Sequence, residues 1–176
     1  MKSLKELDYK ILTELMKNSK ISDRQLAKKL NVSQPTITRR RARMERMNLF
    51  EYTIIPDLKE LGYGIISFTF VHFKPAARFT QMLAKKPMDE QVKETLLKAP
   101  NIIFISTGTG LGFELVSVAV HKKYSEFIIL RREISNRWGD YIENIDSFVI
   151  SMTGDNMIRF LTLKFLADYI HMQRTE

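Results

Sequence analysis

The chain has 176 residues, 44% of them apolar and 27% charged, which is enough for one or two compact domains and too apolar for disorder as the main state. Its 28 lysines and arginines outnumber 20 acidic residues, a formal charge of +8, so the expected partners are anionic. There is no cysteine, which excludes a disulfide framework, a thiolate nucleophile and thiolate-held zinc or iron–sulfur sites.

The charge is concentrated. Residues 1–56 carry 13 basic and 6 acidic side chains, a net of +7, whereas residues 57–176 carry 15 and 14, a net of +1. Such confinement predicts an N-terminal module facing a polyanion and a second module with another task. Composition changes at the same place, so the expected division is a first domain over 1–54, a linker over 55–63, a second domain over 64–156 and a C-terminal extension over 157–176. Apolar runs such as Gly64–Phe73 reach only half the ~20 residues of a membrane span, and no apolar run follows the lysine-rich start. A cytoplasmic protein without membrane contact is expected.

Leu4, Leu7, Ile11, Leu12 and Leu15 recur at helical spacing, predicting a first helix from about Leu4 to Lys17. Ser22 with Gln25 three positions on forms a capping box for a short second helix whose inner face is Leu26, Ala27 and Leu30. Asn31 and Val32 make a tight turn, and Ser33 caps a third helix with Pro35 in its first turn. Helix, short turn, helix is a DNA-binding arrangement.

The third helix carries five arginines between Arg39 and Arg46, balanced only by Glu45. A solvated surface helix would intersperse glutamates at i,i+4. With Ile37, Met44 and Met47 turned inward, Gln34, Thr38 and Arg39 lie on the outer face, with Arg43 one turn beyond. Arginine bridges guanine O6 and N7 and glutamine does the same to adenine, which makes Arg39 and Gln34 the candidates for base edges. Thr36, Thr38, Arg40 and Arg43 suit backbone or mixed contacts. Lys20, Lys28 and Lys29 supply long-range attraction. After Asn48, a left-handed C-cap, Leu49–Ile54 alternates like a small wing strand.

These residues resemble the leucine-responsive regulator/AsnC (feast/famine) family of prokaryotic transcription factors. The resemblance runs through Leu7, Asp8, Ile11 and Leu12, then Ile21, Ser22, Leu26, Ala27 and Leu30. It continues through Val32, Ser33, Thr36, Ile37, Arg39, Arg40, Arg43 and Glu45 to Leu61-Gly62-Tyr63. Two positions depart from the family pattern: Asn48 stands where glycine is usual, and Arg41 where an aliphatic residue is usual, one turn after Ile37. Arg41 must therefore snorkel or pair.

In the second module Ile66, Phe68 and Phe70 alternate with Ser67, Thr69 and Val71, as in a strand with one well-buried face. A helix from about Asp89 to Lys98, strands over Ile102–Thr107 and Phe113–His121, a helix over Lys123–Trp138 and a strand over Asp146–Thr153 follow. The order βαββαβ is that of a ferredoxin-like sandwich with both helices on one face. The uncovered face is apolar, so a second copy is its natural cover and an obligate dimer is expected.

The overall expectation is an α+β protein, an N-terminal winged helix-turn-helix followed by a ferredoxin-like sandwich of the family's ligand-sensing (RAM) type. That resemblance implies double-stranded DNA as partner, a homodimer or a tetramer or octamer built from it, and an unidentified effector such as an amino acid or other small metabolite. It places the effector at the glycine-rich turn Gly108, Thr109, Gly110, Leu111 and Gly112, with Glu114 as the nearest carboxylate; amide donors there can hold a carboxylate. The same turn read by its residues alone is a hairpin with positive-φ positions.

The extra stretch Pro75–Met88 and an amphipathic tail over Met157–Glu176, helix or strand, either cap the site or build higher oligomers. The three histidines lack metal-ligand spacing, and no nucleophile elbow, P-loop or dinucleotide fingerprint occurs. A non-enzyme without a cofactor is expected. The rivals are a siroheme decarboxylase, an enzyme type that resembles this two-part architecture, and a family member that senses or assembles without binding DNA.

Overall fold

The computed structural model describes residues 4–75, 99–154, 158 and 162–173. The helix expected from about Asp89 to Lys98 and nearly all of Pro75–Met88 lie outside these residues. The chain divides into two units: one runs to Ile55 and includes the C-terminal helix, and the other is Pro56–Ile158.

The N-terminal unit opens with three helices, α1 (Glu6–Lys17), α2 (Asp23–Leu30) and α3 (Gln34–Arg46). Their stripes meet in a core of Ile11, Leu15, Leu26, Ala27, Ile37 and Met44, with Leu7, Ile21, Leu30, Val32 and Phe50 packed around it. Each large apolar side chain buried there contributes roughly 1.5 to 3 kcal/mol. The capping box of α2 forms as expected: Ser22 Oγ accepts from the Gln25 amide at 3.2 Å and Gln25 Oε1 accepts from the Ser22 amide at 3.0 Å. Ser33 departs from expectation; its hydroxyl caps nothing and instead shares a 2.8 Å hydrogen bond with Thr36 Oγ1.

Asn48 takes the left-handed conformation, φ 49°, that its place after α3 requires, and Asn31 does the same after α2 at φ 52°. The expected wing strand is a correction. Residues 49–54 are irregular and pair with no strand among the described residues. Phe50 anchors that segment in the core, and Tyr52 stacks edge-on against it with ring centroids 5.3 Å apart.

The second unit is a four-stranded antiparallel sheet of β1 (Ile65–Phe73), β2 (Ile102–Gly110), β3 (Phe113–His121) and β4 (Ile142–Ser151), with helix α4 (Tyr124–Trp138) between β3 and β4. Spatial order is β2-β3-β1-β4, the ferredoxin-like arrangement. Within the stretch 55–63 expected as a linker, Leu58 and Tyr63 pack against Ile66, Val120 and Met152 of this unit. β4 starts at Ile142, earlier than expected, because a register shift at His72/Phe73 lets Ile142 pair with Phe73 despite the polar Glu143 and Asn144.

The two faces of β1 are covered differently from what its polarity suggests. The small residues Ser67 and Thr69 lie buried on the α4 side with Val71 and Phe73, whereas Phe68 and Phe70 are only half-buried on the other. A helix layer approaches a sheet most closely over small side chains, and the hydroxyls are satisfied there: Ser67 pairs with His121 and Thr69 with Ser147. Under α4 the core joins Val71, Phe73, Leu115, Ala119 and Ile145 to Leu130, Ile134 and Trp138. Gly139 ends α4 at φ −57°, so its need is spatial, since a Cβ there would stand 2.6 Å from the Ser135 carbonyl oxygen.

The tail is helical where described, as α5 (Lys164–Met172), and it belongs to the N-terminal unit. Ala167 is fully buried and Lys17 of α1 pairs with Asp168.

Candidate nucleic-acid interface

The first turns of α3 present Gln34, Thr38 and Arg39 to solvent, with Arg43 and Arg46 further along. The side chains of Gln34, Arg39 and Arg43 make no hydrogen bond or ion pair among the described residues. Lys20 and Lys28 are exposed as well; Lys29 is exposed but paired with Glu14 of α1.

Arg40 is where the structure departs from the expectation of a backbone contact. Its guanidinium turns inward, where Nη1 donates to Asp8 Oδ1 at 2.8 Å, and Asp8 is only 1% exposed. Asp8 also accepts from the Lys5 amide at 2.8 Å, closing the start of α1. Burial pushes the Asp8 carboxyl up, but the Lys5 amide, the Arg40 hydrogen bond and the charges of Arg40 and Arg43 outweigh it and hold the group below its ordinary range.

Arg41 pairs rather than snorkels. Nη1 donates to Asp23 Oδ1 at 3.0 Å, Nε donates to the Tyr52 hydroxyl at 2.7 Å, and the guanidinium lies 5.2 Å from the Tyr52 ring centroid. The Tyr52 hydroxyl donates to Glu45 Oε1 at 2.9 Å. Asp23 Oδ2 accepts from Thr38 Oγ1 at 2.7 Å. One polar chain thus ties the start of α2, two turns of α3 and the segment leaving them. Asp23 and Tyr52 are not among the residues expected at the site; the signal for them was Arg41 on an apolar stripe, which had either to snorkel or to pair. Thr36 is half-buried and occupied by Ser33.

The candidate effector turn is a tight hairpin in which Gly110 pairs with Phe113. Leu111 and Gly112 take φ of 53° and 78°, the pattern of a type I′ turn. Leu111 is exposed, and a Cβ at Gly108, Gly110 or Gly112 would meet no atom. Thr109 is exposed too. Glu114 does not face the turn: its Oε2 accepts from the Phe73 amide at 3.0 Å and lies 3.3 Å from His72 Nδ1, while His72 Nε2 faces Glu143 at 3.2 Å. The structure therefore keeps the turn residues together and separates Glu114 from them.

Ser67, His121 and Asn101 form a hydrogen-bonded trio with the order of a hydrolase triad: Ser67 Oγ to His121 Nε2 is 2.9 Å, and Asn101 Nδ2 to His121 Nδ1 is 3.3 Å. Asn101 also donates to the Val120 carbonyl, which orients its amide so that Nδ1 accepts and Nε2 carries the proton toward Ser67. An imidazole that donates to the serine does not deprotonate it, and both side chains are sealed from substrate. Among the described residues no group of three or more His, Cys, Asp or Glu side chains is placed to hold a metal ion. No described helix is long and apolar enough to cross a membrane.

A basic helix-turn-helix with a half-open recognition face, followed by a ferredoxin-like sheet domain, defines a two-domain protein of the nucleic-acid-binding regulator type. A family model for winged helix-turn-helix DNA-binding matches residues 4–51. The regulatory protein AsnC of Haemophilus influenzae is 30% identical over 124 residues, covering 69% of this chain and 83% of that relative. The chain belongs to the leucine-responsive regulator/AsnC family. An uncharacterized HTH-type transcriptional regulator of Pyrococcus abyssi is 30% identical over 95 residues, 53% of this chain and 64% of that relative, so the match spans a little under two thirds of it. A transcriptional regulator from Neisseria meningitidis, solved as an L-Met complex, shares the fold with a TM-score of 0.69 over 93% of this chain and 99% of its own at 18% identity.

Proposed function

We infer that the chain is a sequence-specific DNA-binding transcriptional regulator that acts as a dimer, with α3 of each protomer in a major groove. The observation that carries this reading is the exposed face of α3, on which Gln34, Arg39 and Arg43 make no side-chain hydrogen bond or ion pair among the described residues, beside the exposed cations Lys20 and Lys28. Arg39 and Gln34 read base edges, Arg43 and the lysines meet phosphates, and Arg40 contributes from its inward position by holding α3 to α1. The dimer reading is supported by the sheet face away from α4, where Phe104 and Phe148 are more than half exposed on the same face as Phe68 and Phe70. Two-fold symmetry of that pair implies a near-palindromic operator.

An effector, an amino acid or other small carboxylate, binds at the turn Gly108–Gly112 through backbone amides; support comes from the L-Met complex of the Neisseria regulator and the open space around these glycines. The test of the main reading is a gel shift with genomic fragments across a salt series. With about five phosphate contacts per protomer, log affinity falls with log salt at a slope near ~−9 for the dimer. A slope near zero overturns the reading.

A further inference from the structure

Thr38 sits on the exposed face of α3 with Gln34 and Arg39, and an unengaged threonine there would offer a groove both a hydroxyl and a methyl group. Its hydroxyl is engaged. Oγ1 donates to Asp23 Oδ2 at 2.7 Å, while the other oxygen of that carboxylate takes Arg41 Nη1 at 3.0 Å. Arg41 is fastened in turn by Tyr52 and Glu45. A hydroxyl bonded to an ionised carboxylate makes a charge-assisted bond about twice as strong as a neutral one. Rotating it toward a base would exchange the stronger bond for the weaker. With its proton committed, Oγ1 no longer donates to a base acceptor, and Cγ2 is the apolar group that this exposed side chain presents.

We propose that Thr38 reads thymine through its methyl group, packing Cγ2 against the 5-methyl of one thymine in each half-site, with Asp23 as the positioning residue that holds the rotamer and Arg41 as its brace. The proposal rests on the DNA-binding reading above. Contact with the thymine methyl is one of the apolar means by which the major groove is read, and it needs no donor or acceptor.

Deoxyuridine lacks only that methyl, so replacing thymines one at a time in one half-site of a duplex recovered from genomic DNA isolates the contact. With the full chain at fixed salt, one thymine per half-site weakens binding about fourfold when replaced, the worth of one buried methyl-sized group. Thr38→Val loses the bond to Asp23 but keeps a methyl in place, because the branch at Cβ fixes the valine rotamer in a helix, and it shows the same penalty. Thr38→Ser keeps the hydroxyl bond, loses the methyl, and binds both duplexes equally. Asp23→Ala frees the rotamer and shrinks the penalty. A penalty that survives in Thr38→Ser, or tight specific binding with no sensitive thymine, overturns this proposal alone. Failure to shift any duplex overturns the DNA-binding reading and this one with it.

Discussion

Arg39 and Arg40 are neighbours in sequence with opposite surroundings. Arg39 is exposed and has no partner among the described residues, and Arg40 is tied to a carboxylate that is 1% exposed. Their alanine variants should therefore separate. Arg39→Ala is expected to weaken operator binding by about 1 to 3 kcal/mol and relax sequence choice, whereas Lys28→Ala should weaken all sequences alike and lower the dimer's salt slope by about 2, one contact in each protomer. Gel shifts on matched and mismatched operators distinguish these outcomes. Arg40→Ala leaves Asp8 buried without its cation, so it should destabilise the N-terminal unit by about 2 to 3 kcal/mol, read as a lower midpoint in helix-monitored denaturation. An Arg40→Ala protein of unchanged stability would show that the pair contributes nothing.

Among the elements, the C-terminal helix changes the reading of the tail most. Its fully buried Ala167 and the Lys17–Asp168 pair dock it on α1, and four large apolar side chains, Phe165, Leu166, Tyr169 and Met172, remain exposed. The ion pair is solvent-exposed and contributes little; the alanine contact decides the docking. Ala167→Leu inserts three carbons where no space exists, so it should destabilise the docked helix by about 1 to 3 kcal/mol and raise proteolysis near residue 162 without altering the sheet domain. Limited proteolysis with mass analysis checks it; an unchanged cleavage pattern would mean that α5 is held elsewhere.

At the scale of the whole molecule the two units should respond to acid in different ranges. Burial holds His121 below its ordinary value of 6.5, with only the charge of Glu126 opposing. The unfolded chain therefore takes up a proton at His121 before the folded one does, and stability present above about pH 6.5 declines as pH falls below it. Asp8 is held below its ordinary 3.8, so its contribution persists above that value and is lost only as pH falls further. The single tryptophan, Trp138, lies in the core beneath the sheet and reports on the second unit alone. Denaturation followed by its fluorescence should shift to lower midpoints between pH 7 and 5, while a midpoint constant over that range would refute the role given to His121.

Much of the architecture was legible because it depends on local rules. Helical spacing, the Ser22–Gln25 box, the left-handed Asn48 and the alternation of the strands follow from neighbours within a few residues, and they placed the three N-terminal helices and four strands close to where they stand. The outer face of α3 was legible for the same reason, since Ile37 and Met44 set its rotation. Tertiary structure alone decided which side chains of that helix are engaged. Asp8 and Asp23 reach Arg40, Arg41 and Thr38 from 32, 18 and 15 residues away, and nothing in local spacing encodes those partners. It also decided that Ser67 and Thr69 lie under the helix layer, that residues 49–54 form no strand, and that the tail docks on α1. Each depends on which surfaces are close enough to pack, a property of the folded chain and not of any segment within it.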